Sequence, residues 1–200
     1  MTTPPTARRG ALLVMDAQQV IADRLPSEAN ADGGLRQMGK AARLARAAGL
    51  PVIYPVISFR GGYPEVGQHN KLLSAAKSRE FLLESDPATQ IHPRVAPQAG
   101  DVIVTKRRVD SFFGSDLDIL LRAQHIDALL LMGFTTSGVV LSTFLSAVDR
   151  DYHVTVLADC CADGDPGLHE LLLTRLFPQR AHVQTVEEWS VTLRPPAEGR

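Results

Sequence analysis

The sequence has few cysteines, no long hydrophobic run and no excess of charge of one sign. Two cysteines, Cys160 and Cys161, occur in 200 residues, and they are adjacent. This arrangement excludes a disulfide framework and offers no metal-ligand spacing. No apolar run approaches the roughly 20 residues that span a bilayer, and the opening segment MTTPPTARRG lacks the apolar centre of a secretory signal. We therefore expect a cytoplasmic protein without a membrane partner.

The charge balance argues against a nucleic-acid partner. Lysine and arginine total 21, aspartate and glutamate total 22, and the formal net charge is −1. The densest basic cluster, TKRRV at residues 105–109, is too short to track a phosphate backbone. Hydrophobic residues make up 44% and charged residues 22% of the chain, as in ordinary globular proteins. We expect one domain with a sizeable core.

Short β-rich runs alternate with helical patterns along most of the chain. The strands are continuous apolar runs, which is typical of a parallel sheet covered on both faces. We predict a three-layer α-β-α fold of the Rossmann-like kind, with a doubly wound, mostly parallel sheet of about six strands. The predicted strands are 11–16, 51–57, 101–106, 126–133, 152–159 and 181–186. The predicted helices are 33–49, 115–125 with Ser115 as N-cap, 137–151, and 166–177 with a proline in the first turn.

Two charged residues stand at predicted strand ends, where open α/β sheets bind their ligands. Asp16 ends the first strand and Lys106 ends the third. Considered alone, Asp16 is equally compatible with a cap of an ordinary turn. Considered alone, Lys106 is compatible with a solvent-exposed lysine at a strand end. Together they suggest that Asp16 is a base and that Lys106 adjusts its pKa by holding the carboxylate ionised. Alternatively, Lys106 stabilises negative charge that develops during a reaction.

The segment GFTTSGVV at residues 133–140 has the form of a nucleophile-bearing turn without a nucleophile. A glycine ends a strand, small residues follow, and a helix begins. Val139 occupies the first helical turn, and its side chain cannot attack a substrate. Backbone N–H groups at a helix N-terminus still bind anions whatever the side chains are. An ordinary strand-to-helix junction has the same composition.

Three blocks of sequence resemble the isochorismatase-like hydrolase superfamily, also called the cysteine hydrolases. They are ALLVMDAQQ, VIVTKRRVDSFFGSDLDILLRAQHIDALLLMG and GFTTSGVVLSTFLSAVDRDYHVTVLADCCAD, and their order and spacing match over about residues 11–190. The resemblance implies a single domain over 1–200, a catalytic aspartate at Asp16 and a catalytic lysine at Lys106. It places the nucleophilic cysteine of the family's amidases at Val139. It further implies an oxyanion hole from the N–H groups of Thr135 and Val139, a cis peptide bond between Phe134 and Thr135, and a homodimer or homotetramer.

The chain departs from the family pattern in three places. Without a thiol at Val139, the thioester route of the amidases is closed. The metal pattern of nicotinamidases is also missing, since the loop SFRGGYPEVGQHN at 58–70 contains one histidine, His69; we expect no catalytic metal, no cofactor and no nicotinamidase activity. The segment RRVDSF replaces the WRYSAF style of siderophore isochorismatases. Cys160 and Cys161 come one strand too late to substitute for the nucleophile, and we expect them to be small buried hydrophobes.

Three hypotheses account for the missing thiol. In the first, the protein is a hydrolase that never needed one: Asp16 protonates a vinyl ether, or activates water on an ester or amide. In the second, the protein is a catalytically inactive family member that binds a small molecule or a partner. In the third, Val139 is an introduced substitution in a cysteine enzyme. Residues expected near the substrate are Gln18, Phe59, Arg60, Tyr63 and Phe113, although the loop residues among them are equally compatible with a surface turn and Phe113 with the core or a subunit contact.

Overall fold

The fold is a six-stranded, fully parallel sheet with helices on both faces, which confirms the predicted class. The computed structural model describes residues 9–193. The strand order is β3-β2-β1-β4-β5-β6, the order of a doubly wound Rossmann-like sheet. The strands are β1 Gly10–Met15, β2 Val52–Ile57, β3 Val102–Lys106, β4 Ala128–Phe134, β5 His153–Ala162 and β6 His182–Gln184.

Helices follow most of the strands, and three of the seven were not predicted: Gln19–Ala22, Lys71–Ser78 and Val186–Thr192. Residues 71–78 form a helix where the sequence suggested an irregular stretch; Asn70 caps it by accepting from the Leu73 N–H. The helices are α1 Gln19–Ala22, α2 Ala31–Ala47, α3 Lys71–Ser78, α4 Leu117–Ala123, α5 Leu141–Val148, α6 Pro166–Leu171 and α7 Val186–Thr192. A π-helical turn, Thr136–Val140, leads into α5, and a second one, Leu172–Leu176, extends α6.

The predicted cap of α4 was wrong by one residue. Asp116 is the N-cap residue, and its side chain makes no capping hydrogen bond. Ser115 lies one position earlier, where its hydroxyl accepts from the Leu117 N–H at 3.2 Å and donates to the Ser111 carbonyl at 2.6 Å. Ser115 thus stabilises the start of the helix from outside it. The proline expected in the first turn of α6 is present, as Pro166.

Two hydrophobic cores lie on the two faces of the sheet. One contains residues of α4 and α5, including Leu117 and Phe144. The other contains residues of α2 and α7, including Met38 and Trp189. Alternate residues of each central strand point to the two cores, so a continuous apolar strand is buried on both faces. None of the helices between residues 9 and 193 combines the length and hydropathy needed to cross a membrane.

A third, smaller cluster covers the carboxyl edge of the sheet. It consists of Ile57, Phe59, Tyr63, Leu73 and Leu82, with Val20, Ile21, Val66, Phe81 and Leu83 packed against it. These residues come from the end of β2, the loop after it, α1, α3 and the segment that follows α3. They form a cover over the strand ends, and the space beneath this cover is where the site lies.

Candidate active site

The site lies between the ends of β1 and β4, where the direction of the strand order reverses. Such a switch point is the usual ligand crevice of a doubly wound sheet. Met15 pairs with Gly133 across these two strands. A side chain on Gly133 would place its Cβ 2.3 Å from the Met15 carbonyl oxygen. Glycine at 133 therefore allows the two strand ends to approach closely and brings Asp16 near the turn that follows β4.

Asp16 and Lys106 form a buried ion pair, although their strands are not neighbours. The Lys106 ammonium donates to Asp16 Oδ2 at 2.9 Å, across β2, which lies between β1 and β3. It also donates to the carbonyls of Arg108 and Val109, each at 3.0 Å. An ammonium has three protons, so every donor on this fully buried lysine has an acceptor. The pair is thereby fixed in one geometry.

The other oxygen of Asp16, Oδ1, has no hydrogen-bond partner among the described residues. Burial raises the pKa of Asp16 from 3.8 to about 6, because removing the carboxylate from water outweighs the opposing attraction of Lys106. Lys106 favours the ionised carboxylate, as expected from the sequence, but burial has the larger effect and the net shift of the Asp16 pKa is upward. A pKa of about 6 lies close to neutral pH, which suits either an acid or a base.

A cavity of about 480 Å³ opens above Asp16. Asp16, Thr135 and Val139, three of the residues named from sequence, line it together. Most of the remaining wall is apolar, as is usual for small-molecule sites. The other lining residues are Ile21, Arg24, Leu25, Ile57, Leu72, Leu73, Ala75, Ala76, Arg79, Phe81, Leu82, Val109, Phe134, Gly138, Asp163, Gly164 and Asp165.

The turn after β4 presents backbone rather than a reactive side chain. The peptide bond between Phe134 and Thr135 is cis, as expected. Val139 lies in the π-helical turn, and its side chain is buried at 1% exposure. The Asp163 carboxylate accepts from the Ser137 N–H at 2.6 Å and holds the turn against the end of β5. A Cβ on Gly138 would lie 2.6 Å from Thr135 Oγ1, so a side chain at this position would force Thr135 to move.

Three of the predicted contact residues are part of the scaffold. Gln18 does not line the cavity; its amide donates to the carbonyls of Ile57 and Thr89 at 2.9 and 2.6 Å and accepts from the Ile57 N–H at 3.0 Å. Phe59 is fully buried in the cover. Tyr63 packs on Phe59 with ring centroids 5.5 Å apart. None of these three residues lines the cavity.

The remaining two predicted contacts lie outside the cavity. Arg60 is exposed and pairs with Glu65 at 2.5 Å. Phe113 is 65% exposed, and its N–H donates to Asp110. The loop after β2 was expected at the pocket wall because it lies next to a strand end, but Phe59 and Tyr63 of this loop pack with Leu73 of α3 instead of lining the cavity. The signal for the true wall was Asn70 followed by the apolar residues of α3, a capped amphipathic helix.

The cysteines lie in the interior, as expected. Cys160 and Cys161 are both buried, and neither lines the cavity above Asp16. Burial raises the pKa of Cys161 to about 12 and also raises that of Cys160, so neither is a thiolate at neutral pH. His69 does not line the cavity either. Between residues 9 and 193 no group of three or more histidine, cysteine or acidic side chains is placed to hold a metal ion.

Comparison with known proteins identifies the class to which this fold and site belong. The isochorismatase domain model matches residues 10–188, and the chain therefore belongs to the isochorismatase family of hydrolases. It is 28% identical over 183 residues to the uncharacterized isochorismatase family protein YecD of Escherichia coli O157:H7, covering 91% of this chain and 95% of that protein.

Two further relatives carry more specific names. The maleamate amidohydrolase of Pseudomonas putida is 28% identical over 151 residues, covering 76% of this chain and 70% of that protein. The crystal structure of a cysteine hydrolase from Pseudomonas syringae pv. phaseolicola 1448A is similar with a TM-score of 0.83 and 27% identity, covering 96% of this chain and 98% of that chain.

Proposed function

We propose that the protein hydrolyses a small molecule without a thiol nucleophile, with Asp16 as the acid or base. The observation that carries the proposal is the state of this carboxyl group. It lines a largely apolar cavity, one of its oxygens has no partner, and burial raises its pKa to about 6. Lys106 positions the carboxyl group through its other oxygen. A vinyl ether, an ester or an amide is the substrate class that this arrangement serves.

With a vinyl ether, protonated Asp16 acts as the acid. Its proton moves to the terminal carbon of the double bond, and the ether oxygen stabilises the resulting oxocarbenium ion. Water adds to this cation, and the ionised Asp16 accepts the proton that the water releases. The hemiketal then separates into a carbonyl compound and an alcohol. A carboxyl group in a dry cavity is sufficient for this reaction.

With an ester or amide, ionised Asp16 acts as the base. It removes a proton from water as the oxygen of that water adds to the carbonyl carbon. The N–H groups of Thr135 and Val139 are the proposed donors to the tetrahedral oxyanion. Asp16 then returns the proton to the leaving alkoxide or amine. This route lacks the covalent intermediate that divides the reaction of a thiol enzyme into two easier steps.

Val139 is proposed to stand where the family's amidases hold their nucleophilic cysteine. Its place in the first turn after β4, with Thr135 and Asp16 on the same cavity, supports this assignment. We also propose a cytoplasmic location, and the family resemblance supports a homodimeric or homotetrameric assembly.

The second candidate function is that of an inactive member that binds a small molecule. The composition of the cavity favours it: over the described part of the chain, no cysteine, serine or lysine lines the wall. A family member that had lost turnover and kept its pocket would have this composition.

A substrate panel separates the two functions. The purified protein is assayed with 2-methoxyacrylate as vinyl ether, 4-nitrophenyl acetate as ester and maleamate as amide, beside the Asp16→Asn variant. We expect turnover of at least one class by the wild type and a loss of roughly a hundredfold or more in the variant. Equal rates in the two proteins, or saturable binding without turnover in any class, would overturn the hydrolase proposal and favour the binding protein.

A further inference from the structure

The cover of the cavity carries two cations that have no acidic partner among the described residues. Arg24 follows α1, and Arg79 is the C-cap residue of α3. Both line the cavity, and neither forms an ion pair within residues 9–193. Both are largely exposed, whereas Asp16 is 4% exposed. The arginines therefore lie at the mouth of the cavity and Asp16 at its floor.

One aromatic ring, Phe81, supports Arg24 and lies close to Arg79 in the sequence. The Arg24 guanidinium stacks over the Phe81 ring with its central carbon 3.7 Å from the ring centroid, and Phe81 follows Arg79 by two residues. The Phe81 backbone is held at both ends, because its N–H donates to the Ala76 carbonyl and its own carbonyl accepts from the Tyr63 hydroxyl. Stacking on a fixed ring orients the guanidinium and leaves its N–H edge free to donate.

The acidic residues on the wall are already engaged with backbone N–H groups. Asp163 accepts from Ser137 and from Asp165, and Asp165 accepts from Leu168 as the cap of α6. The wall thus has two arginines without an acidic partner among the described residues, and three acidic residues, counting Asp16. This balance favours a ligand with one negative charge over one with two, because a second charge would meet the acidic wall without a further cation.

We propose that the substrate is an apolar-bodied monocarboxylate whose carboxylate is bound by Arg24 and Arg79. A planar carboxylate fits the two-pronged donor edge of a guanidinium. The apolar body lies against the leucine- and alanine-rich face of α3, and the reacting bond reaches Asp16 at the floor. This substrate class rests on the proposed function of the same site.

The bound carboxylate has a chemical consequence at the floor. A negative charge brought into the cavity disfavours ionisation of a nearby carboxyl group. Substrate binding therefore favours the protonated form of Asp16, the form that a vinyl ether requires. The arginines thus select a substrate whose negative charge keeps Asp16 protonated, the form that acts as the acid.

Binding is tested with phenylacetate and its neutral counterpart phenylacetamide, by calorimetric titration of the full-length protein. We expect the wild type to bind the carboxylate roughly tenfold or more tightly than the amide. The double variant Arg24→Gln, Arg79→Gln should lose this preference, and Arg24→Lys, Arg79→Lys should retain part of it. Arg43→Gln, a change at an exposed arginine of α2 outside the cavity, is the matched control and should bind as the wild type. Equal affinity of the wild type for the two ligands, or an unchanged preference in the double glutamine variant, would overturn the proposal.

Kinetics separate a failure of this proposal from a failure of the hydrolase. The pair is 4-nitrophenyl acetate and mono-4-nitrophenyl succinate, which share a leaving group and differ by a carboxylate. A higher kcat/KM for the succinate ester that disappears in the double glutamine variant supports the arginine site. Asp16-dependent hydrolysis of both esters at equal kcat/KM refutes the arginine site and leaves the hydrolase standing. Arginine-dependent binding of phenylacetate without turnover of either ester supports the arginine site and refutes the hydrolase.

Discussion

The two sides of the cavity floor contribute to the site in different ways. On the β1 side, Asp16 and Lys106 are polar side chains removed from water, and their mutual geometry is fixed by three hydrogen bonds from one ammonium. On the β4 side, the turn that contains Thr135 and Val139 presents backbone, and the Val139 side chain is inert. In the proposed reactions, the β1 side transfers protons without a covalent intermediate. The β4 side is proposed to stabilise charge but cannot begin a reaction, so the proposed chemistry depends on the carboxyl group.

Removing Lys106 should have the largest effect, because it damages the β1 side directly. Lys106→Met leaves Asp16 and the carbonyls of Arg108 and Val109 without their donor. We expect the free energy of unfolding to fall by roughly 3–5 kcal/mol, together with loss of hydrolysis. Urea denaturation measures the first quantity. The double variant Asp16→Asn, Lys106→Met should recover part of the stability, and a double variant less stable than Lys106→Met would contradict the assigned pair.

The pH profile distinguishes the two roles of Asp16. Its pKa is raised to about 6, so the carboxyl group is protonated below that pH and ionised above it. For a vinyl ether, kcat/KM should fall about tenfold per pH unit above pH 6, because the acid form disappears. For an ester or amide it should rise with pH to about 6 and then level off, because the base form is then complete. A profile flat between pH 4 and 8 for every substrate would exclude Asp16 from proton transfer.

Restoring a thiol on the β4 side should convert the site into that of an amidase. A cysteine at the start of a helix has a lowered pKa and is nucleophilic. Val139→Cys should hydrolyse maleamate at least tenfold faster than the wild type and react rapidly with iodoacetamide. Val140→Cys, at the buried neighbouring position that does not line the cavity, is the control and should do neither. An unreactive thiol at 139 would contradict the proposed position of the nucleophile.

The smallest effect is expected at a buried ionisable group away from the cavity. Cys161 is buried like Asp16, but its thiol donates to the Leu157 carbonyl at 3.4 Å and it does not line the cavity above Asp16. Cys161→Ala should change kcat/KM by less than about twofold, with a modest loss of stability from the vacated volume. Loss of hydrolysis in this variant, with the fold retained, would show that a thiol takes part after all.

The sequence predicted the strand ends better than it predicted the cover. Asp16 was found because the carboxyl end of an apolar strand is identifiable in one dimension, and Thr135 because the resemblance fixed its position. Arg24 and Phe81 were missed because their contact joins segments far apart in the chain. The role of Gln18 could not be predicted either. An amide that hydrogen-bonds to three backbone groups and an amide that binds a ligand have the same sequence context. The pKa of Asp16 depends on the depth of burial, which a sequence does not state.

Because Lys106 pairs with Asp16 across β2, the site forms only when β1, β2 and β3 are correctly assembled. Its partner is 90 residues away in the chain, and a shift of β3 by one residue would turn the ammonium to the opposite face of the sheet. No fragment that ends before β3 can contain the pair, and a misregistered sheet would contain both residues and no site. Recovery of hydrolysis on refolding would therefore report correct strand registration, which the recovery of helical content cannot do.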